Sequence, residues 1–358
     1  LLKLKPQGSK LWAKLTAQGS KLKAGKFMRA ITITNPGPEG TLTLSDITRP
    51  EPKAGQVLIR VAYAGVNRAD SLQKRGSYAP PEGVSPLPGL EVSGTITALG
   101  EGVNQWSIGD KVCALLSGGG YADYVVAEAG LTLPIPAGLS LKEAASLPEA
   151  AATGWMALVG EGKLKAGEKV LIHGGASNIG VILVQIARAL GAEVFATAST
   201  PEKCALLATL GVMPINHHTA PFDDQIREKT EGAGVDIILD ILGAPYLMQH
   251  FKLLERGGRL VSLAFLEGNE VPHLKISSLL TRQLTWSGTM LRNRARKDKE
   301  ALIAAVRAQL WPLFARGKIR PVIDSVFTLE SAEKAHKRME ERLHCGKILL
   351  EVAAAENT

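Results

Sequence analysis

The stretch Lys169–Ser199, KVLIHGGASNIGVILVQIARALGAEVFATAS, constrains the fold more than any other part of the chain. It opens on a short apolar run, Lys169 to His173, of the kind that forms a strand buried on both faces. The turn Gly174-Gly175-Ala176-Ser177-Asn178-Ile179-Gly180 follows, then a helix-length apolar run, Val181 to Leu190, stopped by Gly191. Val194 to Ala198, β-branched and aromatic, supplies a second strand. Such a unit presents backbone N–H groups at the start of its helix, where the macrodipole also favours an anion. The turn is not a strict G-x-G-x-x-G. The strand before it and the helix after it are what make it a candidate dinucleotide site.

A chain of 358 residues exceeds what one ordinary core holds, so two domains are expected. No apolar run approaches the roughly 20 residues that a membrane span needs. Cys113, Cys204 and Cys345 lie far apart with no C-x-x-C spacing, which argues for reduced thiols and a cytoplasmic setting. The net charge of +8 invites a nucleic-acid reading until it is located. Residues 1–27 hold seven lysines and no acid, so the other 331 residues carry only +1. The basic balance belongs to a tail rather than a groove, and specific nucleic-acid binding is not expected. That tail repeats QGSKL at Gln7–Leu11 and Gln18–Leu22. It reads as a non-native leader, as a targeting peptide lacking the usual arginines, or as a glycine-interrupted basic helix for a membrane surface. It is expected to be disordered.

Met28 starts a plausible strand, MRAITITN. From Thr41 to Val126 short strands alternate with turn residues, most clearly at Gln56–Ala62, Glu91–Ala98, Lys111–Leu116 and Tyr121–Val126. The glycines between them suggest a small barrel-like β domain. Leu141–Val159 has a helical pattern, interrupted near Pro148 and Gly154. After the central unit, Thr200-Pro201-Glu202 reads as a helix start that runs to Leu210. Buried strands are expected at Ile237–Asp240 and Arg259–Leu263, with Tyr246–Leu254 helical between them. This alternation predicts a doubly wound parallel sheet. A long amphipathic helix from Lys299 to near Gly317, a strand at Val322–Phe327, a helix at Ser331–Arg342 and a strand at Lys347–Val352 complete the chain.

With the β domain first and the dinucleotide unit second, the chain resembles the medium-chain dehydrogenase/reductase superfamily, and within it the zinc-free quinone oxidoreductase (zeta-crystallin-like) branch. The stretches GVNRAD (Gly65–Asp70), PLPGLEVSG (Pro86–Gly94), LLSGGGYADYV (Leu115–Val125) and LPEAAATGW (Leu147–Trp155) carry the resemblance, together with the central unit. DILG (Asp240–Gly243), MLRNR (Met290–Arg294) and CGKILLEV (Cys345–Val352) also fit, so the resemblance spans Met28 to Val352. It implies an α/β fold with a GroES-like β-rich catalytic domain and a Rossmann doubly wound parallel-sheet domain. The expected divisions are the extension at 1–27, the catalytic domain at 28–150, the Rossmann domain at 151–294 and a return to the catalytic domain at 295–358. A homodimer or homotetramer is also implied.

Zinc-dependent members have a cysteine where this chain has Asn67, and a histidine where it has Leu90. A carboxamide and an alkyl group do not replace thiolate and imidazole, so no metal is expected. An NAD-selective fold carries Asp or Glu after its second strand. Here that corner is Thr197-Ala198-Ser199-Thr200, with Lys203 one turn on, which points to NADPH. Taken alone, Lys203 also reads as a solvated helix lysine. Asn178 stands where glycine is common and tolerates the turn, leaving its side chain near the pyrophosphate. By resemblance, Asn67 floors the substrate cleft and Tyr78 lies over the nicotinamide end. Without the resemblance they read as a turn amide and a half-buried loop aromatic. Asp70 reads as a helix cap. The resemblance further sets the coenzyme against Tyr78, Thr153, Gly175, Ala176, Ser177, Asn178, Ile179, Gly180, Ser199, Lys203, His217, Leu242, Gly243, Leu263, Phe265, Leu266, Thr289 and Leu291. The expected activity is NADPH-dependent, zinc-independent reduction of a quinone. Reduction of an activated C=C bond in a conjugated carbonyl is the alternative, and a non-enzymatic RNA-binding role of the zeta-crystallin kind is the third reading.

Overall fold

The computed structural model describes residues 26–353, so the extension expected to be disordered lies almost wholly outside the described residues. The chain opens with an antiparallel hairpin, β1 (Phe27–Thr34) and β2 (Thr41–Thr48). Next come β3 (Gln56–Gly65), α1 (Arg68–Lys74), β4 (Glu91–Leu99), β5 (Lys111–Leu115), β6 (Tyr124–Glu128) and β7 (Thr132–Pro134). Helices α2 (Leu141–Ala144) and α3 (Pro148–Trp155) lead to β8 (Lys169–Ile172), α4 (Gly180–Ala189), β9 (Glu193–Ala198), α5 (Pro201–Thr209) and β10 (Met213–Asn216). Then follow α6 (Phe222–Lys229), β11 (Val235–Asp240), α7 (Leu247–Leu253), β12 (Leu254–Ser262), α8 (Ser277–Thr281) and β13 (Thr285–Gly288). The described chain closes with α9 (Arg296–Gln309), α10 (Trp311–Ala315), β14 (Ile323–Thr328), α11 (Ala332–Glu340) and β15 (Lys347–Glu351).

Two sheets organise these elements. The first runs β14-β15-β3-β4-β5-β7, with β6 also on β3. Its middle strand, β3, is almost wholly buried, and two register shifts against β4 bend it into the barrel-like curve. Val57, Ile59, Val61, Val92 and Ile96 fill the interior. The second sheet runs β10-β9-β8-β11-β12-β13 with every pairing parallel. Counted from β8, that is the order 3-2-1-4-5-6 of a doubly wound dinucleotide fold. Its strands are apolar on both sides because helices cover both faces. Val170, Ile172, Ile237 and Leu239 pack toward α3 and α4, while Leu171, Ile238 and Phe195 pack toward Phe222 and Ile226 of α6 and Phe251 of α7. Burying each such side chain contributes roughly 1.5–3 kcal/mol. α4 ends where Gly191 turns back at φ +88°, a left-handed conformation that favours glycine.

The α/β, GroES-plus-Rossmann expectation holds, and several finer ones shift. Pro148 does start a helix, but Gly154 does not interrupt it. A side chain there would meet Ile186 Cδ1 at 2.8 Å, so Gly154 serves the close approach of α3 to α4, and a π-helical turn continues through Glu161. The single helix expected from Lys299 to Gly317 is two, α9 and α10, because Pro312 sits in the first turn of a new helix. The strand expected at Tyr121–Val126 begins at Tyr124, since Tyr121 turns inward to a hydrogen bond. Among the described residues no helix is long and apolar enough to cross a membrane.

Candidate functional site

The turn between β8 and α4 sits where the strand order reverses, at the carboxyl edge of the parallel sheet. Gly175 is pressed against β9, donating to the Thr197 carbonyl at 3.0 Å, and a side chain there would meet Ala196 Cβ at 2.6 Å. Gly180 opens α4 so near Gly174 O that a Cβ would lie 2.3 Å from it. Ser177 Oγ accepts from Gly180 N at 3.1 Å, and Ile179 precedes the helix. The remaining coenzyme-side candidates follow the ends of the neighbouring strands. Ser199 follows β9, His217 follows β10, Leu242 and Gly243 follow β11, Leu263, Phe265 and Leu266 follow β12, and Thr289 and Leu291 follow β13. Asp240 orders part of this rim, accepting from Leu242 N at 2.7 Å and from Gly243 N. Leu263 N donates to Asp240 O at 2.7 Å and Leu266 N to Ile241 O at 3.0 Å. Thr153 is buried in α3, and Leu291 is buried as well.

Asn178 makes a contact that its place in the turn does not show. Its side chain turns into the other domain, where Nδ2 donates to Val66 O at 2.7 Å. Lys203 also reaches across, its Nζ donating to the Arg342 carbonyl at 2.6 Å. His217 is held below the ordinary histidine range by burial first, then by His218, with Arg342 and Lys203 adding to the positive field. No carboxylate lies between β9 and Glu202, Lys203 follows directly, and the Arg342 guanidinium is paired with Glu267 at 2.9 Å.

On the catalytic side Asn67 is buried just ahead of α1. Its Oδ1 accepts from Lys347 Nζ at 2.8 Å and its Nδ2 donates to Glu91 Oε1 at 3.0 Å. Lys347 Nζ also bonds Glu91 directly, and Glu91 Oε2 accepts from Glu149 N at 3.0 Å. Asp70 does more than cap: its buried carboxylate accepts from Asn67 N, Gly89 N and Tyr121 OH. Burial pushes its pKa up while those three donors hold it down. Glu149 is pushed up to about 8, chiefly by burial and then by the Glu91 charge.

Tyr78 lies in the loop after α1, its ring 5.3 Å from the Arg292 guanidinium carbon. Burial raises the phenol pKa, Glu149 adds to the rise and Arg292 opposes it. Arg292 comes from the Rossmann side, yet its Nη2 donates to Gln73 Oε1 at 2.8 Å and its Nε to Ser117 O at 2.9 Å. Gly346 N donates to Ala176 O at 2.9 Å, a further tie across the cleft.

The candidates thus fall into two groups, a rim of strand ends in the parallel sheet and a buried floor around Asn67, with Tyr78 beside Arg292. Lys347, Glu149, Arg292 and Arg342 are site residues that sequence reasoning did not single out. A lysine opening the apolar run KILLEV needs a buried partner, and that was the available signal for Lys347.

The residues present fit a dinucleotide. The ten-residue helix α4 begins at the crevice, the neighbouring corner is cationic, and Asn178 Oδ1 is buried with no donor among the described residues. They do not fit zinc. Both ends of the Asn67 carboxamide are engaged, an ammonium lies beside it, and Leu90 offers no ligand atom.

Comparison with known proteins agrees on the architecture. The alcohol dehydrogenase GroES-like domain family matches residues 53–137 and the zinc-binding dehydrogenase family matches residues 178–308. The chain is 32% identical over 330 residues to a quinone oxidoreductase of Sus scrofa, covering 91% of this chain and 98% of that one. Among solved structures it is similar to the CurK enoyl reductase, with TM-score 0.81, 29% identity and coverage of 92% and 100%. It is also similar to an NAD-dependent alcohol dehydrogenase, with TM-score 0.79, 28% identity and coverage of 91% and 100%.

Proposed function

The chain belongs to the medium-chain dehydrogenase/reductase family, as an oxidoreductase using a nicotinamide cofactor, and from that premise we propose that it is a zinc-independent NADPH:quinone reductase. The reading sets it beside the tumour-suppressor-inducible quinone oxidoreductases. The observation that carries it is the floor of the cleft, where Lys347 and Glu91 engage both ends of the Asn67 carboxamide. An acceptor that is already electron-poor, as a quinone is, suits such a floor. The reduced nicotinamide, when bound, supplies the hydride. The amides of Asn178 and Ile179, just ahead of α4, receive the pyrophosphate, since those of Gly180 and Val181 already donate to Ser177, and Lys203 receives a 2′-phosphate. Tyr78 offers a flat face against which a planar acceptor stacks, held by Arg292. A homodimer belongs to the same reading.

A second reading, reduction of a conjugated C=C bond, is favoured by one observation. Burial pushes the Glu149 pKa up to about 8, its charge acts on Tyr78, and such a reduction needs a proton as well as a hydride. NADPH consumption with a small ortho-quinone and with a conjugated enal tests the choice. Tyr78→Phe should keep most quinone turnover, because the ring remains. Tyr78→Ala should lose about 100-fold, because orientation of the partners is lost. Enal turnover without quinone turnover, with Phe and Ala equally damaging, would establish the second reading instead.

A further inference from the structure

Asn178 stands in the turn before α4 with 6% of its surface exposed. The bond from Nδ2 to Val66 O fixes which way the carboxamide faces, because a backbone carbonyl only accepts. Oδ1 is therefore the free end, and it is buried without a donor among the described residues. A buried acceptor left in this way is unfavourable and calls for a donor. The parts of a dinucleotide differ in what they offer. The pyrophosphate has only acceptor oxygens and cannot satisfy Oδ1, whereas ribose hydroxyls can. The adenosine-side ribose belongs to the Lys203 corner after β9. Asn178 instead reaches Val66, next to Asn67, on the catalytic side.

We propose that Asn178 is a coenzyme contact in which Oδ1 accepts from a hydroxyl of the nicotinamide-side ribose while Nδ2 holds Val66. One side chain then sets the nicotinamide end of the coenzyme against the floor built on Asn67. The proposal rests on the dinucleotide reading of the turn and adds to it a contact that a glycine there could not make.

Calorimetric titration of the full chain tests it, with NADPH and with 2′,5′-ADP, which carries the adenosine end and no nicotinamide ribose; NADH and AMP are run in parallel. Asn178→Ala and Asn178→Gly are compared with the wild type, the glycine variant serving if alanine disturbs the turn. The dissociation constant of the intact coenzyme should rise about 3- to 10-fold in both variants, and that of the adenosine fragment should not move. An equal loss for coenzyme and fragment would trace the effect to a distorted turn and overturn the proposal. So would unchanged or tighter coenzyme binding. A wild type that binds neither NADPH nor NADH would overturn the dinucleotide reading itself, a result distinct from wild-type binding that the variants leave untouched.

Discussion

Lys203 and Arg342 meet at the end of β9 although 139 positions separate them, and that meeting decides what a coenzyme encounters there. Charge-assisted hydrogen bonds contribute about 1.5–3 kcal/mol, each 1.4 kcal/mol being about tenfold in affinity. Lys203→Ala should therefore weaken NADPH about 10- to 100-fold and leave NADH nearly unchanged, as read by fluorescence titration of both coenzymes. Equal losses would point to the fold. Lys203 itself was legible because the acid expected near it is missing. Its acceptor was not, since the contact is to the Arg342 backbone carbonyl, which no side-chain identity marks. The same holds on the floor. Asn67 stood out as a residue in a ligand's place, but its partner Lys347 lies 280 positions away. Asn178 was noticed for standing in glycine's place, but its bond to Val66 was not legible because Val66 belongs to the other domain.

Among elements, those with a strong period were readable and those defined by a neighbour were not. β8, α4 and β9 announce themselves through apolar runs and a stopping glycine. β13 is four residues, TWSG, mostly exposed, and is a strand only through its register on β12. α6, FDDQIREK, buries Phe222 and Ile226 alone, too little to stand out from a polar loop. α11 shows how one helix couples to the rest. Its His336 is buried between Ser71 Oγ of α1, at 3.3 Å, and Tyr121 OH, at 3.2 Å. Burial holds His336 down at about 3, against 6.5 ordinarily, and His250 is likewise held at about 3. Below pH 6.5 the unfolded chain takes up these protons and the folded one does not, so stability falls as the pH falls from about 6.5 toward 3. Glu149 works in the opposite direction between its ordinary 4.5 and about 8, losing stability as the pH rises. Urea unfolding at pH 6 and pH 5 should show the acid loss, and His336→Leu should reduce the difference by about 1 kcal/mol. Parallel profiles for variant and wild type would show that His336 does not titrate on unfolding.

At the scale of the molecule, the six-stranded sheet ends in β13 with no further strand beside it among the described residues. The apolar side chains nearby are exposed: Leu280 at 83%, Ile276 at 60%, Met290 at 51% and Trp286 at 43%. A bare strand edge flanked by an apolar patch is a liability that proteins cover. A second copy pairing β13 about a two-fold axis covers both at once, since the same edge faces itself. Sedimentation should therefore find a dimer. Replacing Leu280 and Ile276 together by Glu should release monomer at micromolar concentration without lowering the melting temperature by more than a few degrees. A monomeric wild type would rule this arrangement out.

β15 has a consequence in time as well as in space. It enters the first sheet between β14 and β3, setting Leu349 opposite Gly65. All strands of the parallel sheet fall between residues 169 and 288, so that sheet is complete in the emerging chain before β15 has been made. Glu91 and Asn67 meanwhile wait without the ammonium of Lys347. Closing β3 on β15 directly would mean searching a loop of nearly the whole chain, but a folded parallel sheet between them shortens that search. Synthesis interrupted just short of Lys347 would release a chain with a finished Rossmann sheet and an unneutralised floor. The contacts of Lys347 with Glu91 and Asn67 are therefore completed by the arrival of β15, the last strand of the described chain to be made.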